Sequence, residues 1–256
     1  DGGPIFGWES TSLFLYGLAT HGGAVTELTG DAQVASNIQA PDAIRLYEAW
    51  IEHNVEAANV SLLAGLYDVN SEFDVVEEAG VFLNSSFGIG AELGNSGRRG
   101  PSIFPVTAIG ARFQWHPTHE WYAQGAILDG VPGSPDDPTV PSLHLSAEEG
   151  ALWMAEVGYL AHRTPRQQLE PVRLGRGHVH PGIPWRVAAG VWQYTGEVER
   201  IGKAGRTRAH PGLYLLVEGR PYREEDSEEG LGIFVRLGLA DDRTNRFGSY
   251  LGGGLT

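Results

Sequence analysis

The stretch GLGIFVRLGLA, from Gly230 to Ala240, decides the fold class of this chain. Large apolar side chains occupy every second position of it: Leu231, Ile233, Val235, Leu237 and Leu239. The positions between them hold glycine, Phe234 and Arg236. Successive side chains of a strand point to opposite faces of a sheet, whereas a helix would scatter these residues around its circumference. The stretch therefore predicts a β-strand with one continuous apolar face.

The same alternation recurs along the chain and predicts an all-β fold. We count about ten such segments, which begin near residues 12, 43, 60, 106, 121, 151, 185, 212, 231 and 247. The 36 glycines and 15 prolines are too many for a helical bundle, and the 41% apolar content is too high for a disordered chain. No segment predicts a helix of three turns, and no apolar run is long enough for a transmembrane helix.

The connectors between these segments alternate in length. Short connectors are predicted at 54–59, 116–120 and 221–230, and long ones at 21–41, 69–105 and 131–149. This alternation is typical of an antiparallel up-and-down transmembrane β-barrel of the outer-membrane type, whereas a soluble sandwich does not need it. The link at 163–184 departs from the rule, because it is long where a short turn is expected.

The composition of the two strand faces also favours a barrel. The strand faces opposite the apolar ones carry Gly, Arg, Glu, Trp and Tyr, as the wall of a water-filled lumen would. Aromatic residues gather near the ends of strands, as in an interfacial girdle, although the core of a soluble sandwich would also explain them: Trp50, Trp115, Trp121, Tyr159 and Trp185.

Charge and composition exclude several function classes. The net charge of −14 argues against a nucleic-acid partner. The chain has no cysteine, and the histidines near 178–180 and 210 lack carboxylates at ligand spacing, so we expect no metal and no cofactor. No nucleophile elbow or dinucleotide-binding motif is present, and we expect no catalytic residue and no enzyme activity.

Four blocks of sequence resemble the carbohydrate-selective porin family typified by OprB of Gram-negative outer membranes. The blocks are RLYEAWIEH (45–53), DVNSEFDVVEEAGVFLNSSFGIG (68–90), SGRRGPSIFPVTAIGARFQW (96–115) and AILDGVPGSPDDP (126–138). Weaker similarity continues to the final LGGGL.

The resemblance implies a barrel of sixteen strands, of which about ten are visible here. We therefore expect an internal fragment: residues 1–256 as a single partial β-barrel domain, with a long pore-directed loop at about 69–105. It also implies an outer-membrane channel for selective diffusion of monosaccharides, with sugars and lipid as partners, as a monomer or a homo-oligomer. Leu63 and Leu66 stand where we expect polar lumen residues, which keeps a general or other-solute porin open. A soluble all-β carbohydrate-binding domain or hydrolase is a further alternative.

Alternation assigns a set of charged side chains to the lumen: Arg45, Glu48, Arg112, Glu156, Arg186, Glu218 and Arg236. Arginine donates and carboxylate accepts hydrogen bonds, so a wall of both suits a polyol, though such pairs could equally cross-link the wall. Arg45 shares a face with Glu48 only if a bulge intervenes.

Two further groups are pore-lining candidates. Trp192, with Tyr194, offers a flat surface for a sugar ring, or else packs against the loop. The resemblance suggests that Asn84, Phe87, Arg98 and Arg99 in the long loop reach the pore, and anchoring of the loop is the alternative reading.

Overall fold

The computed structural model describes residues 10–134, 137, 140–141, 147–161, 185–208, 210–223 and 230–256. The predicted link at 163–184 lies outside the described residues, and so do residues 224–229 of the predicted link at 221–230.

The described residues form twelve strands in chain order. These are β1 (Thr11–Thr20), β2 (Ala43–Val55), β3 (Val60–Tyr67), β4 (Ala108–Trp115), β5 (Trp121–Asp129), β6 (Ala151–Ala161), β7 (Trp185–Tyr194), β8 (Val198–Glu199), β9 (Arg206–Thr207), β10 (His210–Arg223), β11 (Gly230–Ala240) and β12 (Ser249–Leu255). Ten of them make one sheet in the order β1-β2-β3-β4-β5-β6-β7-β10-β11-β12, and every neighbouring pair is antiparallel. The predicted ten-stranded, up-and-down, all-β arrangement is therefore confirmed.

Helices are short throughout the described ranges. The α-helices are α1 (Thr26–Thr29), α2 (Ser85–Gly88) and α3 (Ala91–Gly94), and single 3-10 turns lie at Glu56–Ala58, Val69–Ser71 and Glu77–Ala79. No helix in the described part of the chain is long and apolar enough to cross a membrane. Strands β8 and β9, of two residues each, form a small hairpin in the connector between β7 and β10. The sequence pattern did not predict this hairpin.

The two faces of the sheet differ sharply in exposure. In β11, Val235 is 50% exposed while its neighbour Arg236 is 3% exposed, and Leu231, Leu237 and Leu239 share the exposed face. The predicted alternation of this strand is confirmed. The strands β6 and β7 repeat the pattern, with every second residue buried. The sheet thus presents apolar side chains outward and buries charged ones on its inner face, the reverse of a soluble sheet.

Glycines on the inner face make room for aromatic rings of the neighbouring strands. A Cβ on Gly190 of β7 would lie 2.1 Å from the ring of Tyr214 in β10, and one on Gly158 of β6 would lie 2.1 Å from the ring of Tyr122 in β5. The rings therefore lie flat across the adjacent strand, which keeps the inner face thin enough for another layer to pack on it.

That layer is the connector between β3 and β4, residues 68–107, which we call the long loop. Its Phe73 and Leu93 are fully buried and belong to the same apolar cluster as Leu152 of β6 and Trp192 of β7. Because these strands lie far along the sheet from β3, the long loop crosses the inner face instead of remaining at its own hairpin.

Candidate functional site

The inner face and the long loop meet through buried arginines at Arg112 of β4, Arg186 of β7 and Arg236 of β11. Each of these three residues is at most 3% exposed, which is rare for arginine unless the charge is paired. Each of the three forms ion pairs with two carboxylates.

Arg112 is paired mainly with the beginning of the long loop. Its Nε donates to Glu72 Oε2 at 2.7 Å and its Nη2 donates to Glu72 Oε1 at 2.8 Å, a bidentate arrangement. Nη2 also donates to Glu52 of β2 at 2.9 Å, and Nη1 donates to Ser61 of β3 at 2.6 Å. Arg112 therefore ties the loop to two neighbouring strands.

Arg186 joins wall carboxylates to the loop backbone. Its Nη1 donates to Glu218 Oε1 at 2.9 Å and to the carbonyl of Val75 at 2.8 Å. Its Nη2 donates to Glu156 Oε1 at 3.3 Å, and both Nε and Nη2 donate to the hydroxyl of Tyr122. The five N–H groups of this side chain thus all have partners.

Arg236 is held entirely by carboxylates of the long loop. Nε and Nη2 donate to the two oxygens of Asp74 at 2.6 and 2.7 Å, and Nη1 and Nη2 donate to Glu92 at 3.1 and 2.7 Å. The guanidinium also lies 5.6 and 5.2 Å from the ring centres of Tyr214 and Tyr250. A Cβ at Gly90 would lie 2.0 Å from this guanidinium, so only glycine permits the approach.

The carboxylate of Glu156 accepts hydrogen bonds both from side chains of the inner wall and from the long loop. It accepts from the Tyr122 hydroxyl at 2.8 Å, from Gln124 Nε2 at 3.1 Å and from the Tyr214 hydroxyl. The backbone N–H of Asp74 also donates to it, at 3.1 Å. Such a network, satisfied by several partners at once, fixes one geometry of loop and wall.

Arg45 and Glu48 reach the inner face because β2 contains a bulge. Tyr16 pairs with Glu48 and Gly17 pairs with Leu46, so Tyr47 has no partner in the ladder and the alternation shifts by one residue. Both Arg45 and Glu48 are buried. Arg45 donates to the carbonyls of Pro105 and Pro41, and Glu48 accepts from the indole N–H of Trp50 at 2.7 Å.

The aromatic candidates are packed rather than exposed. Trp192 is buried, its indole N–H donates to Ser96 of the long loop at 3.0 Å, and its ring stacks near that of Tyr214. Phe87 stacks on Phe82 with ring centres 4.7 Å apart and meets Phe234 edge-on.

The polar loop candidates lie at three separate places. Asn84 caps α2, where its side chain accepts from the N–H and the hydroxyl of Ser86. Arg98 is exposed and donates to the carbonyls of Glu197 and Glu148. Arg99 is exposed and donates to the carbonyl of Ser134 at 3.1 Å. The structure thus brings Arg98 and Arg99 to other long connectors and leaves Asn84 within its own loop.

Several residues of this network were missed by sequence reasoning, namely Glu72, Asp74, Glu92, Tyr122 and Tyr214. The three acids lie in the long loop, for which no periodicity assigns a face. The available signal was chemical: this connector carries carboxylates among apolar residues, and the predicted inner wall carries arginines without a matching number of acids on the same strands.

Burial perturbs the acids at the start of the long loop. Desolvation raises the pKa of Asp68 to about 6, although the Tyr47 hydroxyl and the N–H of Asn70 donate to this carboxylate and oppose the shift. Desolvation likewise raises the pKa of Glu72, against the opposing charge of Arg112. Within the described ranges, no group of three or more His, Asp or Glu side chains is arranged to hold a metal ion.

Comparison with known proteins agrees with this architecture. The family model described as "Carbohydrate-selective porin, OprB family" matches residues 5–256. The solved structure described as "High pH structure of Pseudomonas putida OprB" superposes with a TM-score of 0.74 at 15% sequence identity, over 97% of this chain and 60% of that chain. This chain therefore spans less than two thirds of the length of that protein. No curated protein matches the chain. Because the family model covers nearly every residue, the chain belongs to the OprB family of carbohydrate-selective porins, which are proteins of the bacterial outer membrane.

Proposed function

We propose that the protein is a channel through which monosaccharides diffuse across the outer membrane. The observation that carries the proposal is the inverted sheet, with apolar side chains exposed on one face and charged ones buried on the other, in a member of this family. A strand face of exposed leucine and valine suits contact with lipid, and a polar inner wall suits an aqueous path.

In this proposal the wall arginines define the path by holding the long loop. Nearly all guanidinium N–H groups of Arg112, Arg186 and Arg236 donate hydrogen bonds to carboxylates, tyrosine hydroxyls or loop carbonyls. They thereby fix how far the loop extends from the wall, and so how wide the passage is. Passing hydroxyls meet the donors and acceptors that remain, and such transient exchange of hydration is what a diffusion channel requires.

The test is transport by the purified protein reconstituted into lipid. We expect ion conductance in planar bilayers that glucose reduces in a concentration-dependent way, and swelling of proteoliposomes in glucose that exceeds swelling in a disaccharide of the same osmolarity. Absence of conductance, or equal swelling in both sugars and in a neutral amino acid, would contradict a monosaccharide channel.

One observation favours a second candidate, a less selective porin on the same fold. Leu63 is buried and pairs in register with Arg112, so part of the inner wall is apolar where a sugar channel gains from polar contacts. Swelling rates that follow solute size alone, without preference for sugars, would support this candidate.

We also propose that the protein catalyses no reaction on its sugar. A glycoside hydrolase needs a pair of carboxyl groups free to act as acid and as base or nucleophile. The buried wall acids Glu156 and Glu218 are instead engaged by Arg186, and Glu156 is engaged by two tyrosines as well. Release of the aglycone from nitrophenyl glycosides by the purified protein would contradict this statement.

A further inference from the structure

A cleft of about 250 Å³ lies between the β1–β2 connector and the long loop, which we call the mouth cleft. It is at the end of the sheet where the long connectors are found. The β1–β2 connector contributes Gln33, Ser36, Asn37 and Gln39, and the long loop contributes Asn95 and Phe104. This volume far exceeds the ~10–15 Å³ that a single water molecule needs, so the cleft has room for one sugar ring.

The lining differs in chemistry from the buried wall. None of the described residues that line the mouth cleft is charged, and its polar groups are side-chain amides and hydroxyls. An amide presents both a donor and an acceptor, as does each hydroxyl of a sugar. A neutral polyol can therefore exchange bonds with this lining, whereas a charged solute would lose hydration without meeting an opposite charge.

Some of these amide groups are available to a ligand. The side chains of Gln33 and Asn37 are half-buried and form no hydrogen bond with any residue that the structure describes. Gln39 Oε1 accepts from Thr26, and Asn95 Nδ2 donates to the carbonyl of Ala91 at 2.8 Å. Gln39 and Asn95 thus hold the shape of the cleft, while Gln33 and Asn37 keep their polar atoms free for a solute.

The walls of the cleft are also fixed against each other. The N–H of Asn37 donates to the carbonyl of Leu83 at 2.7 Å, and the N–H of Ser85 donates to the carbonyl of Val34 at 3.1 Å. On the opposite side, the Phe104 ring packs edge-on to Tyr47. Arg45 donates to the carbonyl of Pro105 at 3.2 Å, which makes it a positioning residue for this wall. A preformed site loses little ordering entropy when a ligand binds.

We infer that the mouth cleft is a binding site for one neutral sugar ring, with Gln33 and Asn37 bonding its hydroxyls and Phe104 contacting its C–H face. The inference rests on the proposed sugar channel and gives it an entry site outside the charged wall. Aromatic rings supply flat apolar surface of the kind that the C–H face of a pyranose covers.

The first test replaces the two free amides by apolar side chains of similar size, Gln33→Met with Asn37→Leu. We expect the glucose concentration that half-blocks the ion current to rise by about five- to a hundredfold, since two hydrogen bonds are lost, while conductance in salt alone is unchanged. Gln193→Met is the matched control, because this amide is exposed on the outer face of β7. Unchanged glucose block in the double variant would overturn the inference, whereas a parent protein without glucose block would overturn the proposed channel.

A second test does not depend on transport or on removal of the amides. The chain has no cysteine, so Ser36→Cys in the cleft and Ala204→Cys in the exposed β8–β9 turn each create a unique thiol. We expect glucose to slow maleimide labelling of Ser36→Cys but not of Ala204→Cys, and gluconate at the same ionic strength to protect less. Equal labelling rates with and without glucose at both positions would overturn the inference, and equal protection by gluconate would overturn the neutral-sugar assignment.

Discussion

At the scale of single residues, the interior depends on the geometry of arginine. Arg236 makes bidentate contact with Asp74, reaches Glu92 with the same group and lies over two tyrosine rings. A lysine could supply the charge but not the planar fork that meets two carboxylates at once. The almost complete absence of lysine, with Lys203 the only one in the chain, agrees with this use of positive charge.

Removal of this side chain should destabilise the folded protein strongly. Arg236→Ala leaves Asp74 and Glu92 buried without their counter-charge, for which we expect a loss of about 3–5 kcal/mol in the free energy of unfolding. Guanidinium chloride titration in detergent micelles, followed by tryptophan fluorescence, measures this loss. Arg208→Ala is the control. The Arg208 side chain is 76% exposed, so its ion pair with Glu197 should contribute about 0–1 kcal/mol. Equal stability of the two variants would show that the buried pairs do not hold the loop.

At the scale of elements, the strands of the ten-stranded sheet have an outer face and an inner face, and the long loop differs in its contacts from the short connectors. In β11 the outer face is formed by leucine, isoleucine and valine over its whole length. The connectors at 56–59 and 116–120 are simple turns, whereas the long loop supplies three of the six described ion pairs of Arg112, Arg186 and Arg236. Strand faces and loop acids can therefore be tested separately.

A charge on the outer face of β11 should be costly. Val235 lies in the middle of this face, so Val235→Arg should cost about 2–4 kcal/mol if the face meets the centre of the bilayer. Folding yield into lipid vesicles, read from heat-modifiable migration, measures the effect. Ala204→Arg, in the exposed β8–β9 turn, adds the same charge away from the strand face and should fold as the parent does. Normal folding of Val235→Arg would contradict the outward, lipid-facing assignment.

The base of the long loop should respond to pH. Because the pKa of Asp68 is raised to about 6 in the folded protein, the folded state binds a proton before the unfolded state does as pH falls. The contribution of Asp68 to stability is therefore most favourable at low pH and is lost as pH rises through 6. Asp68→Asn should gain stability relative to the parent at pH 8 and gain less at pH 5. Denaturant titration at both values checks this, and a gain independent of pH would contradict it.

At the scale of the whole molecule, negative charge exceeds positive charge both overall and inside. The net charge is −14, and among the described residues of the inner face Arg112, Arg186 and Arg236 each pair with two carboxylates. Charges in a narrow, water-poor section act more strongly on passing ions than distant surface charges do. The interior should therefore favour cations.

Loss of a wall arginine should increase that preference. Arg112→Ala and Arg186→Ala each leave two carboxylates without their guanidinium, so the reversal potential in a salt gradient should shift further toward cations. The same variants should show weaker glucose block if the loop moves from its position. Arg208→Ala should leave both properties unchanged. Parent-like selectivity in both wall variants would show that ions pass without sensing this part of the interior.

The strands were predictable from sequence because the alternation of a strand is a local property. The pattern around Arg236 gives the strand, its two faces and the inward direction of the arginine together. The partners of that arginine were not predictable, because Asp74 lies 162 residues away in a connector without periodicity. Arg45 shows the intermediate case: strict alternation places it outward, and only the unpaired Tyr47 of the bulge turns it inward. The roles of these arginines depend on contacts between residues far apart in sequence, and a local sequence pattern does not encode such contacts.

The separation of 162 residues between Asp74 and Arg236 has a consequence for how the interior is completed. The hairpins from β1 to β7 can pair one after another as each strand becomes available, since every strand bonds to the one before it. Glu72 of the long loop meets its guanidinium 40 residues away, at Arg112 of β4, whereas Asp74 and Glu92 meet theirs only in β11, 162 and 144 residues away. Without β11 in place, Asp74 and Glu92 lack their counter-charge, and burying them is unfavourable. Closure of the long loop over the inner face therefore depends on a strand near the far edge of the sheet as well as on the strands beside the loop.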